Sequence, residues 1–359
     1  MTPSDIVRHR LRNQGISDPI AGGPADVVGW LGGVQAQDYA GAKWALGLRL
    51  KGATEHDIER AFNDGAILRT HLLRPTWHFV TPADIRWMLA LTAPRVHAAN
   101  GHRYRQLELD SGVSQLSNEA LAKALQGGQH LTRDELRGVL RRAGIETDRQ
   151  QRMAYLMMRA ELDGVVCSGP RRGKQFTYAL LDERAPRART LEREESLAEL
   201  AERYFASRGP ATVHDFAKWS GLTLADARSG LEAVEAGLRH EVADGRTSWF
   251  PRSSRSRADR SPTAHLLSIY DEYVSGYKDR GAMIEERHAA RLSAMGNGLN
   301  YIVVVDGRIV GTWKRTLRKT EVVIQTDIFT RLTRAGKEAI AAAAGRYGVF
   351  LGRSVALAV

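Results

Sequence analysis

Three times along this chain a group of helix-forming segments ends in two short β-rich runs. That repeated order constrains the fold more tightly than any single residue does. In the first instance the helices are expected at 5–14, 24–33 and 54–62. Thr2-Pro3-Ser4 opens the first, and Thr54 caps the third with Glu55 and Asp57 in its first turn. The β-rich stretch Ile67 to Val80 follows. It carries Arg69, His71, Arg74 and His78 and no acidic residue. A further helix starts at Thr81-Pro82-Ala83-Asp84 and runs towards Val96, with a kink permitted at Pro94.

The second instance places helices at 117–125, from Thr132 (a capping box with Glu135) and at 148–163, closed by Gly164. A hairpin over 165–181 follows, and Arg171, Arg172 and Lys174 give it three positive charges with no acidic residue. In the third, helices at 193–207, 212–220 and 223–235 lead into strands at 238–242 and 247–250. The Asp244-Gly245 pair between those strands is a strong hairpin signal.

Helices followed by a basic β-ribbon is the order of a winged helix. The units are domain-sized and differ in sequence, so no short solenoid period is present. After a Ser- and Arg-rich linker over 251–262 the pattern changes. Strands are expected at 301–305, 309–313 and 322–326, a helix at 333–344, and a last strand at 355–359 that could close the sheet. The expected fold is α+β: winged helices over 1–112, 113–184 and 185–251, then a small, mostly-β, barrel-like domain over 262–359.

A chain of 359 residues has room for several such cores. The net charge of +11 points to a polyanionic partner, and nucleic acid is the commonest for such a surface. One cysteine, Cys167, excludes an internal disulfide and a cysteine-clustered zinc site. The eleven histidines are scattered without ligand spacing, so neither metal nor other cofactor is expected. No apolar run is long enough for a membrane span, and the N-terminus lacks a signal-peptide core. The expectation is a monomeric cytoplasmic protein associated with the nucleoid.

Familiar catalytic motifs are missing. Gly169 to Lys174 superficially suggests a P-loop, but the spacing is one residue short and Gln175 stands where Ser or Thr is needed. Neither Gly-x-Ser-x-Gly nor His-Glu-x-x-His occurs. The unusual stretch is Val34-Gln35-Ala36-Gln37-Asp38, just after Gly32-Gly33. On a helix, residues two apart diverge. In an extended segment they share one face, and both amides could reach one point. The alternative is that the two amides satisfy backbone groups at a helix–strand junction.

At Gln35-Ala36-Gln37 and at Leu73 to Val80 the chain resembles the AlkZ/YcaQ-like winged-helix DNA glycosylases. The resemblance continues through Leu267 to Arg280 and Asp306 to Trp313, and so covers nearly the whole chain. It implies that the Gln-x-Gln pair, Gln35 and Gln37, is catalytic. A sister branch has Gln-x-Asp there, and Asp38 follows one residue too late to fit it. The resemblance also implies monofunctional excision of N7-alkylated purines. In the AlkZ branch it implies unhooking of interstrand crosslinks made by DNA-alkylating natural products.

Amides suit that chemistry. An N7-alkylated guanine is already cationic and leaves without a general acid. What remains is to align a water and stabilise an oxocarbenium-like sugar. Asp38 could deprotonate the water, or it could cap a local turn. His78 is a second auxiliary candidate, with a structural or phosphate-contacting role as its alternative. Trp44 and Trp77 read first as core residues, with stacking on a nucleobase as the alternative. Asp271, Glu272 and Tyr273 could line the site from the last domain, although a salt-bridged domain interface is the preferred reading. Arg69, Arg74, Arg171, Arg172 and Lys174 are the expected DNA contacts. The partner is duplex DNA containing alkylated or crosslinked purines. A rival from another class is a non-enzymatic tandem winged-helix transcription regulator, which would have no need of the Gln pair.

Overall fold

The computed structural model of the chain describes residues 1–243, 245–252, 261–294 and 301–358. Asp244 of the expected turn and most of the expected linker lie outside them. The chain forms two compact units, one of Met1–Glu59, Ala198–Trp219 and Leu224–Val359, the other of Arg60–Leu197 and Ser220–Thr223.

The first unit opens with α1 (Pro3–Asn13), where Thr2 and Asp5 form a reciprocal capping box, and α2 (Pro24–Leu31). The two-residue strand β1 (Val34–Gln35) leads into α3 (Tyr39–Leu48), and α4 (Glu55–Asn63) follows. Thr54 and Asp57 cap α4 reciprocally, as the sequence suggested. Helix α3 had no counterpart in the sequence reading. Every residue from Gly41 to Leu48 is buried, so α3 shows no polar face and no helical period. Gly47 lets it approach its neighbour, because a Cβ there would lie 2.4 Å from the ring of Phe350.

The second unit contains the antiparallel hairpin β2 (Leu68–Leu72) and β3 (Arg74–Val80), then α5 (Ile85–Gln106). Helix α5 continues past Pro94 well beyond the expected end at Val96. Leu89, Leu91, Ala93 and Val96 are buried around the proline, and that packing outweighs the lost backbone donor. Next come α6 (Ser111–Leu125), β4 (Leu131–Thr132), α7 (Arg133–Arg142) and α8 (Arg152–Leu162). Strands β5 (Val166–Ser168) and β6 (Thr177–Leu180) and the short α9 (Leu181–Arg184) complete this stretch. Strand β4 pairs with β6 to make a three-stranded sheet in the order β4-β6-β5. Leu121, Leu125, Leu136, Leu140, Leu156 and Val166 share one core beneath it. Cys167 of β5 is buried too, and burial pushes its thiol up to about 12, which leaves it unreactive.

Helix α10 (Arg193–Arg208) leads into the third set of elements. There α11 (Val213–Ser220) and α12 (Leu224–Val234) precede the hairpin β7 (Leu238–Ala243) and β8 (Arg246–Pro251), close to the expected bounds. Ala211 bridges Trp249 of β8, as β4 bridges β6 in the preceding set.

The C-terminal part holds β9 (Ala264–Leu267), α13 (Glu272–Ser275) and α14 (Glu286–Ala294). Strands β10 (Ile302–Val305), β11 (Arg308–Leu317) and β12 (Glu321–Ile328), helix α15 (Arg334–Leu351) and β13 (Ser354–Ala358) follow. The five strands form a half-barrel in the order β13-β12-β11-β10-β9, with β13 parallel to β12. Strand β9 and helix α14 were absent from the sequence reading. The long α15 makes this part mixed rather than mostly β. The architecture as a whole is α+β.

Candidate active site

The Gln35–Gln37 segment is shaped from both ends. Helix α2 stops because Gly32 enters the left-handed region at φ 66°, and Gly33 follows at φ 128°, where a side chain would be strained. Downstream, the Asp38 carboxylate caps α3 by accepting from the Gly41 amide at 2.6 Å. Between these stops the chain runs through the strand Val34–Gln35 and then bends at Gln37 and Asp38. Val34 and Ala36 are buried, Gln35 is partly exposed and Gln37 is exposed. Period-two burial of this kind places both glutamines on the open side.

A buried charge network holds this short segment. The Glu272 carboxylate accepts from the backbone N–H of Gln35 at 2.9 Å through one oxygen. Through the other it accepts from Arg208 at 2.6 Å and from the Trp219 indole at 2.8 Å. Arg208 also donates to the Leu31 carbonyl at 2.7 Å, at the end of α2, and its guanidinium lies 4.2 Å from the Trp219 ring centre. Glu272 and Arg208 are both fully buried, so their mutual attraction is hardly screened. A second buried pair lies next in sequence: Arg49 meets Asp271 in a two-bond fork at 2.8 and 2.9 Å and donates to Gln14 at 2.9 Å. Asp271 and Glu272 therefore act as interior ion-pair partners, in line with the salt-bridged reading preferred from sequence.

Around Asp38 the half-barrel supplies two further groups. The Tyr301 hydroxyl donates to the other Asp38 oxygen at 3.3 Å, and Arg315 donates to Tyr301 at 3.4 Å and also bonds Tyr347. Burial, the largest cause, and the nearby Asp38 raise the Tyr301 phenol well above its ordinary range, so it remains a donor. Lys43 of α3 is buried and held at 2.8 Å by both Glu55 and Glu59. Trp44 is a core residue: its indole donates to the Leu266 carbonyl at 2.6 Å and meets Tyr347 edge-on.

The remaining sequence candidates lie in the second unit. His78 is fully buried. Its Nδ1 lies 2.9 Å from the Thr76 carbonyl, which can only accept, so Nδ1 carries the proton and Nε2 faces Arg74 at 3.4 Å. Arg69, 9% exposed, stacks over Trp77 and Phe176 at 4.3 and 4.8 Å. His71 bonds Glu161, another interior partner that spacing did not reveal. At the β5–β6 tip, Arg171 donates to the Lys174 carbonyl at 2.6 Å. Arg172 donates to Glu135 at 2.8 Å and to the His130 carbonyl at 2.7 Å, while the Lys174 side chain is exposed. The Glu135 carboxyl is pulled down to about 2, chiefly by the Thr132 amide and then by Arg172. Among the described residues, no three His, Cys, Asp or Glu side chains gather as a metal site, and no helix is long and apolar enough to cross a membrane.

Arg208, Tyr301 and Arg315 were not singled out from sequence, and Glu272 was raised only as a residue that could line the site, with a salt-bridged interface preferred. The Arg, Tyr and Glu of this set meet the Gln segment only through tertiary folding. The sole hint was the acidic pair Asp271-Glu272 set between hydrophobic stretches.

Comparison with known proteins places the chain among DNA glycosylases. The chain is 27% identical over 326 residues to an interstrand DNA cross-link repair glycosylase of Streptomyces sahachiroi, covering 85% of each. It superposes on the solved structure of the Streptomyces sahachiroi DNA glycosylase AlkZ with a TM-score of 0.82, at 23% identity and over the full length of both chains. The family described as DNA glycosylase AlkZ-like matches residues 28–350, which includes the Gln segment, Glu272 and strands β9 to β12 of the half-barrel. The chain belongs to the AlkZ-like DNA glycosylase family.

Proposed function

We propose that this protein is a monofunctional glycosylase that excises N7-alkylated purines from duplex DNA and unhooks interstrand crosslinks, giving resistance to DNA-alkylating natural products. The observation that carries the reading is the pairing of two partly open glutamines with a rigidly held backbone. An amide is no base near neutral pH. It can, however, hold a water and point its carbonyl dipole at positive charge developing on the sugar. Such a site works only on a base that is already a good leaving group, and ordinary bases would be spared. Asp38, with one oxygen on the Gly41 amide and the other on Tyr301, is placed to orient the Gln segment and to add negative potential. His78 is proposed as an auxiliary group within its own unit.

The fold reading that accompanies this is three tandem winged helices over 1–112, 113–184 and 185–251, with the C-terminal domain over 262–359. Arg171, Arg172 and Lys174, with Arg74, are the proposed phosphate contacts. Arg69 is buried under aromatic rings, and in that place it would serve mainly to brace the β2–β3 hairpin. The protein is proposed to act as a cytoplasmic, nucleoid-associated monomer. The interstrand cross-link repair activity in the relative's name supports the crosslink part of this reading.

The test is single-turnover incubation with duplex DNA bearing N7-methylguanine or an N7-linked crosslink, followed by alkali to cleave abasic sites. Cleavage at the lesion, unchanged by EDTA, is expected. Intact lesion strands at saturating protein would overturn the reading.

A further inference from the structure

On the first unit a cleft of about 680 Å³ lies between the end of α3, the 50–53 loop, β9 and α15. That volume is within the range of small-molecule sites. Its walls are mostly apolar, with Ile16, Leu48, Leu50 and Phe350 among them. No acidic side chain lines it, whereas Lys51 and Arg346 do.

Two polar groups in this lining lack any partner among the described residues. His265, 6% exposed, has neither ring nitrogen hydrogen-bonded, and the Ser17 hydroxyl is likewise buried and unsatisfied. A neutral imidazole always carries one N–H and one lone pair. Native interiors rarely leave both unmet, because each costs about 1–3 kcal/mol. The ring cannot relieve this by taking a second proton: burial, then Arg346 and Arg49, push its pKa down to about 3. Arg346 donates to the Ala264 carbonyl at 2.5 Å, which fixes its guanidinium beside β9 and leaves further donors in its fork.

We infer that this cleft is a binding site for a small apolar carboxylate, its hydrocarbon body on the Leu50–Phe350 wall and its carboxylate shared between Arg346 and His265. The site is separate from the proposed chemistry: no residue of the Gln segment, nor Glu272 or Arg208, lines it. The carboxylate would accept the imidazole N–H, and the missing negative charge in the lining would come with the ligand.

The probe is 4-phenylbutyrate, titrated calorimetrically into the full-length protein, with 4-phenylbutan-1-ol as the neutral control of the same body. A Kd on the order of 1 mM or tighter is expected for a ligand of about a dozen heavy atoms, with the alcohol about tenfold weaker. Arg346→Gln and His265→Phe should each weaken the acid about tenfold and leave the alcohol unchanged. Ala342→Trp, on the exposed lining, should abolish binding of both and keeps the test valid if His265→Phe fails to fold. Lesion excision should be unaltered in all three variants. Undetected binding of the acid at about 10 mM, equal binding of acid and alcohol, or parent-like affinity in both charge-site variants would overturn the inference.

Discussion

At the scale of single residues, the proposed site depends on a distinction between two kinds of polar side chain. Gln37 is exposed and Gln35 partly so, whereas Glu272 and Arg208 are wholly buried. An amide that positions water acts mainly in the transition state, so its removal should alter rate rather than folding or affinity. Gln35→Ala and Gln37→Ala are each expected to slow single-turnover excision by roughly ten- to a thousandfold, with melting temperature and DNA affinity nearly intact. If both amides hold one water, the double variant should be little worse than the poorer single one. Gln37→Glu should retain partial activity and gain a pH dependence absent from the parent, since a carboxylate titrates and an amide does not. Parent-like rates in both alanine variants would make the pair structural. Glu272 calls for a different test. Glu272→Gln keeps an acceptor for the backbone N–H of Gln35 but leaves the Arg208 charge buried and uncompensated, at a cost of several kcal/mol. Asp271→Asn disrupts the neighbouring Arg49 pair at similar cost without touching Gln35. Below both melting temperatures, Glu272→Gln should excise at least about tenfold more slowly than Asp271→Asn. Equal rates would show that Glu272 acts through stability alone.

At the scale of elements, what the sequence made legible was whatever local chemistry controls. The Thr2, Thr54 and Thr132 caps, the stop at Gly164 and the β5–β6 and β7–β8 hairpins depend on residues a few positions apart, and each is where that spacing put it. Helix α3 escaped because it is buried on all sides, and α5 ran past Pro94 because tertiary packing decided its end. The helix stop at Gly32-Gly33 before the glutamine segment was legible, but the extended strand ends at Gln35 and the chain bends at Gln37. The segment's supports, Glu272 and Arg208, were not legible, since nothing in local spacing ties residues more than 170 positions apart along the chain. The β5–β6 tip shows the same limit. Its three positive charges were plain, but the Glu135 partner of Arg172 comes from α7. Replacing Arg171, Arg172 and Lys174 with alanine should therefore flatten the salt dependence of duplex binding by about two to three units in log–log slope, nearer two because Arg172 is already paired. Excision at saturating protein should survive. An unaltered slope would remove this hairpin from the DNA surface.

At the scale of the whole molecule, the net charge of +11 and the proposed lesion chemistry make a joint demand on binding. If the lesion's own reactivity supplies selectivity, the protein gains nothing from reading base sequence and must engage damage in any context. Phosphate contacts meet that need. They release counterions, so affinity should fall steeply with salt, and they carry no sequence information. A regulator built on winged helices would behave oppositely. Its base contacts would separate a preferred site from random duplex by roughly a thousandfold or more. The decisive measurement is affinity for a panel of undamaged duplexes of unrelated sequence, each followed over a range of potassium chloride concentrations. The expected result is a common steep slope and a spread among sequences of less than about tenfold. N7-alkylated duplex should bind only modestly tighter, because discrimination is exercised at the bond-breaking step. A single duplex bound a thousandfold tighter than the rest, with a shallow salt slope, would mean that the chain reads sequence. The glutamine pair would then need a role other than general lesion excision.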